Sequence, residues 1–485
     1  MFPSDLSEIK SLLEQVATDS VVEKGFIPEF SKESLLEISS PAEASNIKDM
    51  SHLFWISIDN VESQDLDQIT YVEKCKNSSY RLYVAIADVD HHIPFESEVD
   101  LVARNNTTTI YTPFKIFPML PAEFCYDKTS LLPHKQRNAI ITQIAIHDDG
   151  SFKLEEVYQA KVENKAKLNY PSVTEFLDHG TDISNLKETK KNVYDQLLLH
   201  DEIGKKIHAY RHRKGALIFS PMQGEAIFER GIPVGIQQKK QTTGHKVIEN
   251  LMIAANVCMT HFFINAKLPI IRRVVKTPKR WGRIVEIANK HNFKISKKPD
   301  TKSLQEFLIH EKKKDPLHFP DLSLTIIKLI GRGEYVLSQP GEKAIGHFDL
   351  ALIDYAHTTA PNRRYPDLMM QRLLKNELNN KGVNFQVAIL HEIANNCSEK
   401  EEAASKIERH LFKSFAAFIL SKKIGENFQA IVTGVSESGT WIRLNEIPVE
   451  GKLIKGFEDV DVGDYITVHL CSVDIPRGFI DFCKK

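Results

Sequence analysis

Residues 58–68 read IDNVESQDLDQ, and the rest of the chain is most simply read outward from them. The stretch follows an apolar, strand-like run, LFWISI (53–58), and packs Asp59, Asp65 and Asp67 into nine positions. Asp65 and Asp67 are two apart, so in extended chain both carboxylates point to one face. A loop over residues 60–64 folds Asp59 back towards them. Carboxylates brought close together cannot all stay ionised without a cation. Oxygen-only ligands suit a hard ion such as Mg2+. A solvated acidic turn accommodates the same residues, so the choice rests on what the chain carries elsewhere.

At 485 residues the length implies about three domains and ample chain for a large core. Hydrophobic content of 42% and charged content of 26% describe an ordinary globular protein. The net charge of −1 excludes a global basic field, so an anionic partner must be met by local patches. The six cysteines, Cys75, Cys125, Cys258, Cys397, Cys471 and Cys483, form no CxxC pair and no cluster of zinc spacing. They are expected as reduced thiols, most of them packed as small hydrophobes. MFPSDLSEIKSLLEQV lacks a signal-type apolar core, and no apolar run approaches a membrane span. The expected compartment is the cytoplasm, with no membrane partner.

Taken in order, residues 1–47 read as a short helical extension ending in a linker, SPAEASN (40–46). Packing, dimerisation and RNA contact are all open to it. From 48 the pattern is mixed α/β. YRLYVAIADV (80–89) is an apolar strand ending beside Asp88, Asp90, His91 and His92. Asp88 and one of the histidines are expected to support the acidic cluster as oriented partners, rather than the four forming a metal site of their own. Residues 104–133 are rich in turns and aromatics. Tyr111 there is a candidate for stacking on a nucleobase, against the commoner role of a core tyrosine with a satisfied hydroxyl.

RNAIITQIAI (137–146), the HDDG turn and residues 152–170 read as sheet. VIENLMIAANVCMTHFFINA (247–266) reads as a buried helix. The basic runs at 272–283 and 294–302 read as solvated faces or the rim of an anion channel. In HFDLALIDYAHTTAPNRRYPDLMMQRLLK (347–375) a strand feeds a Thr-Ala-Pro turn and then a helix. Arg363 and Arg364 at that turn suit a two-armed phosphate clamp; surface arginines in weak salt bridges are the alternative. Residues 398–420 read as a long helix capped by Ser398 and Glu401. Beyond Gly425, about five short strands with Gly-rich turns match a small OB-type barrel, a fold used on single-stranded nucleic acid and also for docking.

Together these stretches resemble the ribonuclease II (RNB) family of 3′-to-5′ exoribonucleases over roughly residues 48–485. The match is carried by IDNVESQDLD, VAIADV, the segment from Tyr111 to PMLP, AKLNY, ENLMIAAN, TAPNRRYPDLMMQRLL and an IER step on a late helix. The resemblance implies an α+β architecture: a short helical extension (1–47), an RNB catalytic domain of mixed sheet and surrounding helices (48–424), and an OB-fold barrel that binds RNA (425–485). It places the metal-holding acids on Asp59, Asp65 and Asp67, and the phosphate-binding catalytic arginine on Arg363. It places RNA contacts on Tyr111 and Tyr170, with Arg364 beside them, and an assisting glutamate on Glu408.

Two departures stand out. The fourth carboxylate of the family is Gln68 here, which removes one charge but keeps a carbonyl oxygen. The sequence also has no room before residue 48 for tandem cold-shock barrels. The implied activity is Mg2+-dependent (or Mn2+-dependent) hydrolysis of single-stranded RNA from its 3′ end to nucleoside 5′-monophosphates. The competing reading is an RNA binder of the same fold whose metal site is weakened by Gln68. A phosphorolytic exonuclease fits less well, because clustered carboxylates favour water as the nucleophile.

Overall fold

The computed structural model describes residues 6–37, 47–76, 79–184, 186, 189–229, 232–437 and 439–485. The linker expected at 40–46 lies outside them. Helices α1 (Leu6–Glu23) and α2 (Lys32–Glu37) precede β1 (Lys48–Asp49), β2 (Trp55–Asp59), β3 (Gln68–Lys74) and β4 (Tyr80–Ala87). Then come α3 (Glu98–Asn106), the two-stranded arm β5 (Ile110–Tyr111) and β6 (Ile116–Phe117), and the long hairpin β7 (Gln136–Ile146) and β8 (Phe152–Asn169).

Strand order is β1-β8-β2-β3-β4-β7, and β7 pairs again with β8, so the sheet closes on itself. The 18-residue β8 makes closure possible by changing partner, with residues 152–163 on β7 and residues 164–169 parallel to β2. β4 shows why its sequence is apolar without a break. Tyr83, Ala85 and Ala87 enter one core and Leu82, Val84 and Ile86 another, since successive side chains point to opposite faces.

The outer core is covered by helices. After α4 (Tyr170–His179), α5 (Lys190–Arg213), the hairpin β9 (Gly224–Glu229) and β10 (Ile232–Gln238), and α6 (Thr243–Asn265), residues of α5 and α6 such as Ile203, Ile207, Leu251 and Ala255 pack on Val84 and Ile144. Among the described residues, α6 is the helix long and apolar enough to cross a membrane, and 72% of its apolar window is buried inside the protein. This corrects the expectation that no apolar run reaches that length: a helix packed on most sides carries the same composition.

The chain continues through β11 (Ile270–Val274), α7 (Trp281–Lys290), α8 (Thr301–Lys314), α9 (Phe319–Ile330), β12 (Glu334–Ser338), α10 (Tyr365–Leu378) and α11 (Val387–Ser421). The strand expected before the Thr-Ala-Pro turn is absent as a strand. Residues 347–356 make isolated bridges to Arg272, Val275 and one another. The cap expected at Ser398 is also corrected. Leu390, Ile393, Ala394 and Cys397 carry the buried face of α11 upstream, so Ser398 lies inside the helix. Its hydroxyl accepts from Tyr335 N at 2.7 Å, tying α11 to β12.

The chain ends in a closed five-stranded barrel of order β13-β14-β15-β17-β16, formed by β13 (Asn427–Ser436), β14 (Gly439–Leu444), β15 (Glu450–Lys455), β16 (Tyr465–Asp474) and β17 (Phe479–Lys484). Its core of Ala430, Val432, Ile442, Leu453, Leu470 and Phe482 is continuous with Ala416, Ala417 and Leu420 of α11 and with Leu13 of α1. Antiparallel pairing of β16 with β17 joins Cys471 and Cys483 in a disulfide, which corrects the expectation of free thiols at those two positions. Cys125, Cys258 and Cys397 are buried free thiols.

Candidate active site

Asp59 closes β2, and the chain from 60 to 67 is an irregular loop held in one shape from beneath. Ser130 Oγ donates to Gln64 O (2.6 Å) and accepts from Leu66 N (3.0 Å). Leu131 N donates to Leu66 O, and Ala87 N to Asp67 O, both at 3.0 Å. Leu66 is fully buried between the two acids, as alternation in extended chain requires. Asp59, Asp65, Asp67 and Gln68 then line one cavity.

The acids have different partners. Asp67 is 2% exposed. Its Oδ1 accepts from Asn362 N (2.9 Å) and its Oδ2 from Arg363 Nε (3.2 Å). Asp65 Oδ2 accepts from the Tyr111 hydroxyl (3.0 Å). Asp59 Oδ1 receives a long contact from Gln68 Nε2 (3.4 Å), while its Oδ2 is buried with no hydrogen-bond partner. Burial pushes the carboxyls of both Asp59 and Asp67 up to about 7, against the opposing pull of Arg363. Among the described residues, no three His, Cys, Asp or Glu side chains close on a common point. Asp65 is drawn to Tyr111 and Asp67 to Arg363.

The two arginines part company. Arg364 Nη2 donates to Asp367 Oδ1 (2.7 Å), and the same oxygen accepts from Ala360 N (2.9 Å). That pair fixes the turn entering α10, with a carboxylate in the first helical turn where it is favoured. Arg363 is 40% exposed and faces the acids. Both arginines of the expected clamp line the cavity; Arg363 pairs with Asp67 and Arg364 with Asp367. Asn362 is a site residue that the sequence reading passed over. Beyond its backbone contact to Asp67, its side chain exchanges hydrogen bonds with Thr129 (2.5 and 3.1 Å).

Tyr111, at the tip of the β5–β6 arm, is 41% exposed, and its N–H donates to Glu408 Oε1 of α11 at 3.0 Å. Glu408 thus meets the site through Tyr111; burial raises its carboxyl above the ordinary range. Tyr170 opens α4, and its ring stacks on His245 with centroids 3.9 Å apart and planes 15° apart. Asp88 and Asp90 do not support the acidic cluster. Both bind Lys375, at 2.8 and 2.9 Å, and Asp90 also binds Arg372 at 3.2 Å, because the end of β4 faces α10.

The cavity has a volume of about 1360 Å3 and runs from the acids to the barrel, reaching Asn256 of α6, Phe412 of α11 and Arg443 of β14. Asn256 Oδ1 accepts from Thr358 N (2.8 Å) and its Nδ2 donates to the Tyr355 hydroxyl (3.3 Å). Its place inside the otherwise apolar run from Leu251 to Met259 was the available signal for it. Of the basic runs, Arg273 reaches the cavity wall. Gly224 closes the opposite side; a Cβ there would lie 3.0 Å from Pro448 O and closer still to the Phe412 ring.

A closed α/β ring with acids and an arginine at its mouth, followed by an OB barrel sharing the same cavity, defines the ribonuclease II architecture. The chain belongs to the RNB family: residues 47–380 match the RNB domain and residues 426–484 the RNase II-type exonuclease C-terminal S1 domain. It is 26% identical to ribonuclease R of Aquifex aeolicus over 501 residues, covering 96% of this chain and 70% of that one. Against ribonuclease R of Thermotoga maritima it is 29% identical, covering 90% and 64%. Against that of Escherichia coli it is 27% identical, covering 86% and 52%. The chain thus spans between about half and 70% of these relatives' length.

Among solved structures, Mycoplasma genitalium RNase R in complex with ribose methylated single-stranded RNA superposes with a TM-score of 0.86 at 22% identity, covering 97% of this chain and 77% of that one. Yeast Ssd1, a pseudonuclease, superposes at 0.73 and 16% identity, covering 91% and 55%. At such identities the likeness establishes the fold alone.

Proposed function

We propose that this protein hydrolyses single-stranded RNA from its 3′ end and releases nucleoside 5′-monophosphates. The observation that carries the reading is the meeting of buried Asp67 with Arg363, from segments 296 residues apart, in a cavity that Asp59, Asp65, Tyr111 and Tyr170 also line. A cluster of acids held near neutrality by burial gains little as a structural device and much as a seat for a cation.

The donor set fits a divalent cation. Asp59 Oδ2 is buried and unpartnered, and the remaining donors are carboxylate oxygens and the Gln68 carbonyl, the chemistry of a hard ion. Asp59, Asp65 and Asp67 would hold it, with Gln68 as a neutral fourth ligand. Bound Mg2+ (or Mn2+) supplies Lewis-acid polarisation and a water acidified towards neutral pH.

The residues supply the rest. Arg363 stays cationic at every working pH and stabilises charge growing on the scissile phosphate. Tyr111 and Tyr170 hold bases by stacking, so their part is orientation, and Glu408 holds the backbone of Tyr111. Attack of water oxygen on phosphorus breaks the bond to the 3′ oxygen of the preceding nucleotide. That oxygen takes up a proton and becomes the new RNA end. The barrel guides single-stranded RNA into the cavity, and the cytoplasm is the compartment proposed for the activity.

One observation favours the second reading, an RNA binder that does not cut. Gln68 turns its amide nitrogen, not its oxygen, towards Asp59. A time course on 5′-labelled oligo(A), with and without Mg2+ or Mn2+ and beside Asp67→Asn, separates the two. Metal-dependent shortening from the 3′ end that the variant abolishes supports the nuclease. Intact RNA under every condition, with binding retained in a gel shift, makes the protein a binder.

A further inference from the structure

Asn106, the last residue of α3, is 5% exposed. Its carboxamide pairs in both directions with one residue of the N-terminal segment. Oδ1 accepts from Ile27 N and Nδ2 donates to Ile27 O, each at 2.8 Å. Asn105 Nδ2 donates to Gly25 O at 3.1 Å. From the far side, Lys400 Nζ of α11 donates to the same oxygen at 2.5 Å and lies 4.4 Å from the centre of the Phe26 ring. A buried amide with both its oxygen and its nitrogen satisfied by one backbone residue makes a strand-like join of defined register.

The arm that carries Tyr111 begins directly after Asn106. Thr107 turns the chain with φ 60°, a left-handed conformation that a threonine adopts only when its surroundings impose it. Thr107 O then accepts from Tyr365 N (2.8 Å), and Thr109 N donates to Arg363 O (3.0 Å). Ile110 and Phe117 of the arm share one apolar cluster with Ala17, Val21 and Phe26 and with Ile407 and Leu411 of α11. The neighbours of both Tyr111 and Glu408 in sequence therefore rest on the N-terminal segment.

We propose that residues 13–27 are part of the substrate site: acting through Asn106, they set where Tyr111 stands against Asp65 and Glu408, and so how the terminal nucleotide is held. Asn106 is a positioning residue here, five residues from Tyr111 on a segment pinned at both ends. The consequence for RNA rests on the proposed nuclease activity; the coupling of Asn106 to Tyr111 does not.

The test uses the full chain with 3-fluorotyrosine at position 111, comparing wild type, Asn106→Ala and the milder Phe26→Leu. The 19F resonance is recorded without RNA, and steady-state kinetics are measured on oligo(A). The expected result is a shifted or broadened resonance in both variants. For Asn106→Ala, KM should rise about fivefold while kcat stays within about twofold, the scale of one lost hydrogen bond. An unmoved resonance in folded variants overturns the inference, and so does a moved resonance with KM unchanged. If Asn106→Ala does not fold, Phe26→Leu decides on the same two readouts. If wild type cuts no RNA with any metal, the nuclease reading falls, while the 19F comparison still decides the coupling.

Discussion

Arg363 Nε stands 3.2 Å from Asp67 Oδ2, while the amide of the preceding residue, Asn362, stands 2.9 Å from Asp67 Oδ1. One short turn therefore grips both oxygens of a carboxylate almost 300 residues away, and the arginine is the dominant influence opposing burial on that acid.

Removing this cation has two consequences with one origin. Arg363→Ala takes a fixed positive charge from the place proposed for the developing phosphate charge, so kcat/KM on oligo(A) should fall by roughly 10²–10³. The same change withdraws what holds the Asp67 carboxyl down. Its pKa should rise further from about 7, and the acid limb of the residual pH–rate profile should move to higher pH. A profile unmoved in Arg363→Ala would break the link between the two residues.

The acids should also make stability depend on pH and on the proposed metal. Asp59 and Asp67 sit at about 7 in the folded protein against a reference of 3.8. Between those values the folded state binds more protons than the unfolded one, so raising pH through that window removes stability from metal-free protein. A divalent cation at the proposed seat would take the ionised form and offset the loss. In EDTA the Tm should drop between pH 5 and pH 8; Mg2+ should restore it at pH 8 and do little at pH 5. Equal Mg2+ shifts at both pH values would mean that these acids are not the ion's seat.

Much of this site was legible because it is local. The spacing of Asp65 and Asp67 on either side of buried Leu66 is a two-residue period that any extended chain imposes. The turn before Tyr365 is marked by Pro361 and Pro366. What escaped depends on contacts across the chain. Asn362 looks like a spacer until its amide meets Asp67. Asp88 and Asp90 belong to Lys375, and only the packing of β4 on α10 shows it. Ser398 and Glu401 mimic a cap, but Ser398 bonds to β12 and Glu401 pairs with Arg273, because α11 begins eleven residues earlier, at Val387. Cys471 and Cys483 meet through strand pairing that spacing does not reveal.

Gln68 offers a way to ask what the missing charge does. Its amide nitrogen rests 3.4 Å from Asp59 Oδ1, a weak bond that a carboxylate would replace with repulsion. Gln68→Asp should lower the Tm of metal-free protein at pH 8, since like charges would then crowd a buried site. It should also increase the Mg2+-induced rise and move the midpoint of a Mg2+ titration to lower concentration by about tenfold, the factor that goes with about 1.4 kcal/mol. An unchanged midpoint, read by thermal denaturation, would place the ion away from residue 68.

His200 is one buried histidine through which the frame behind the site should respond to acid. His200 of α5 is fully buried; Nδ1 lies 2.7 Å from Gln196 O and Nε2 lies 2.8 Å from Thr70 Oγ1 of β3. The carbonyl requires the proton on Nδ1, so Nε2 accepts from the threonine and the ring is neutral. Burial depresses its pKa from 6.5 to about 4. A histidine depressed on folding takes up its proton first in the unfolded chain, so stability is full above pH 6.5 and is lost as pH falls towards 4. The loss should approach about 3 kcal/mol at the acid end. Urea denaturation at pH 7.5 and pH 4.5 measures it, with His200→Gln as the comparison. The variant should be less stable at pH 7.5 yet lose less between the two pH values. Parallel losses in both proteins would assign the acid sensitivity to other groups.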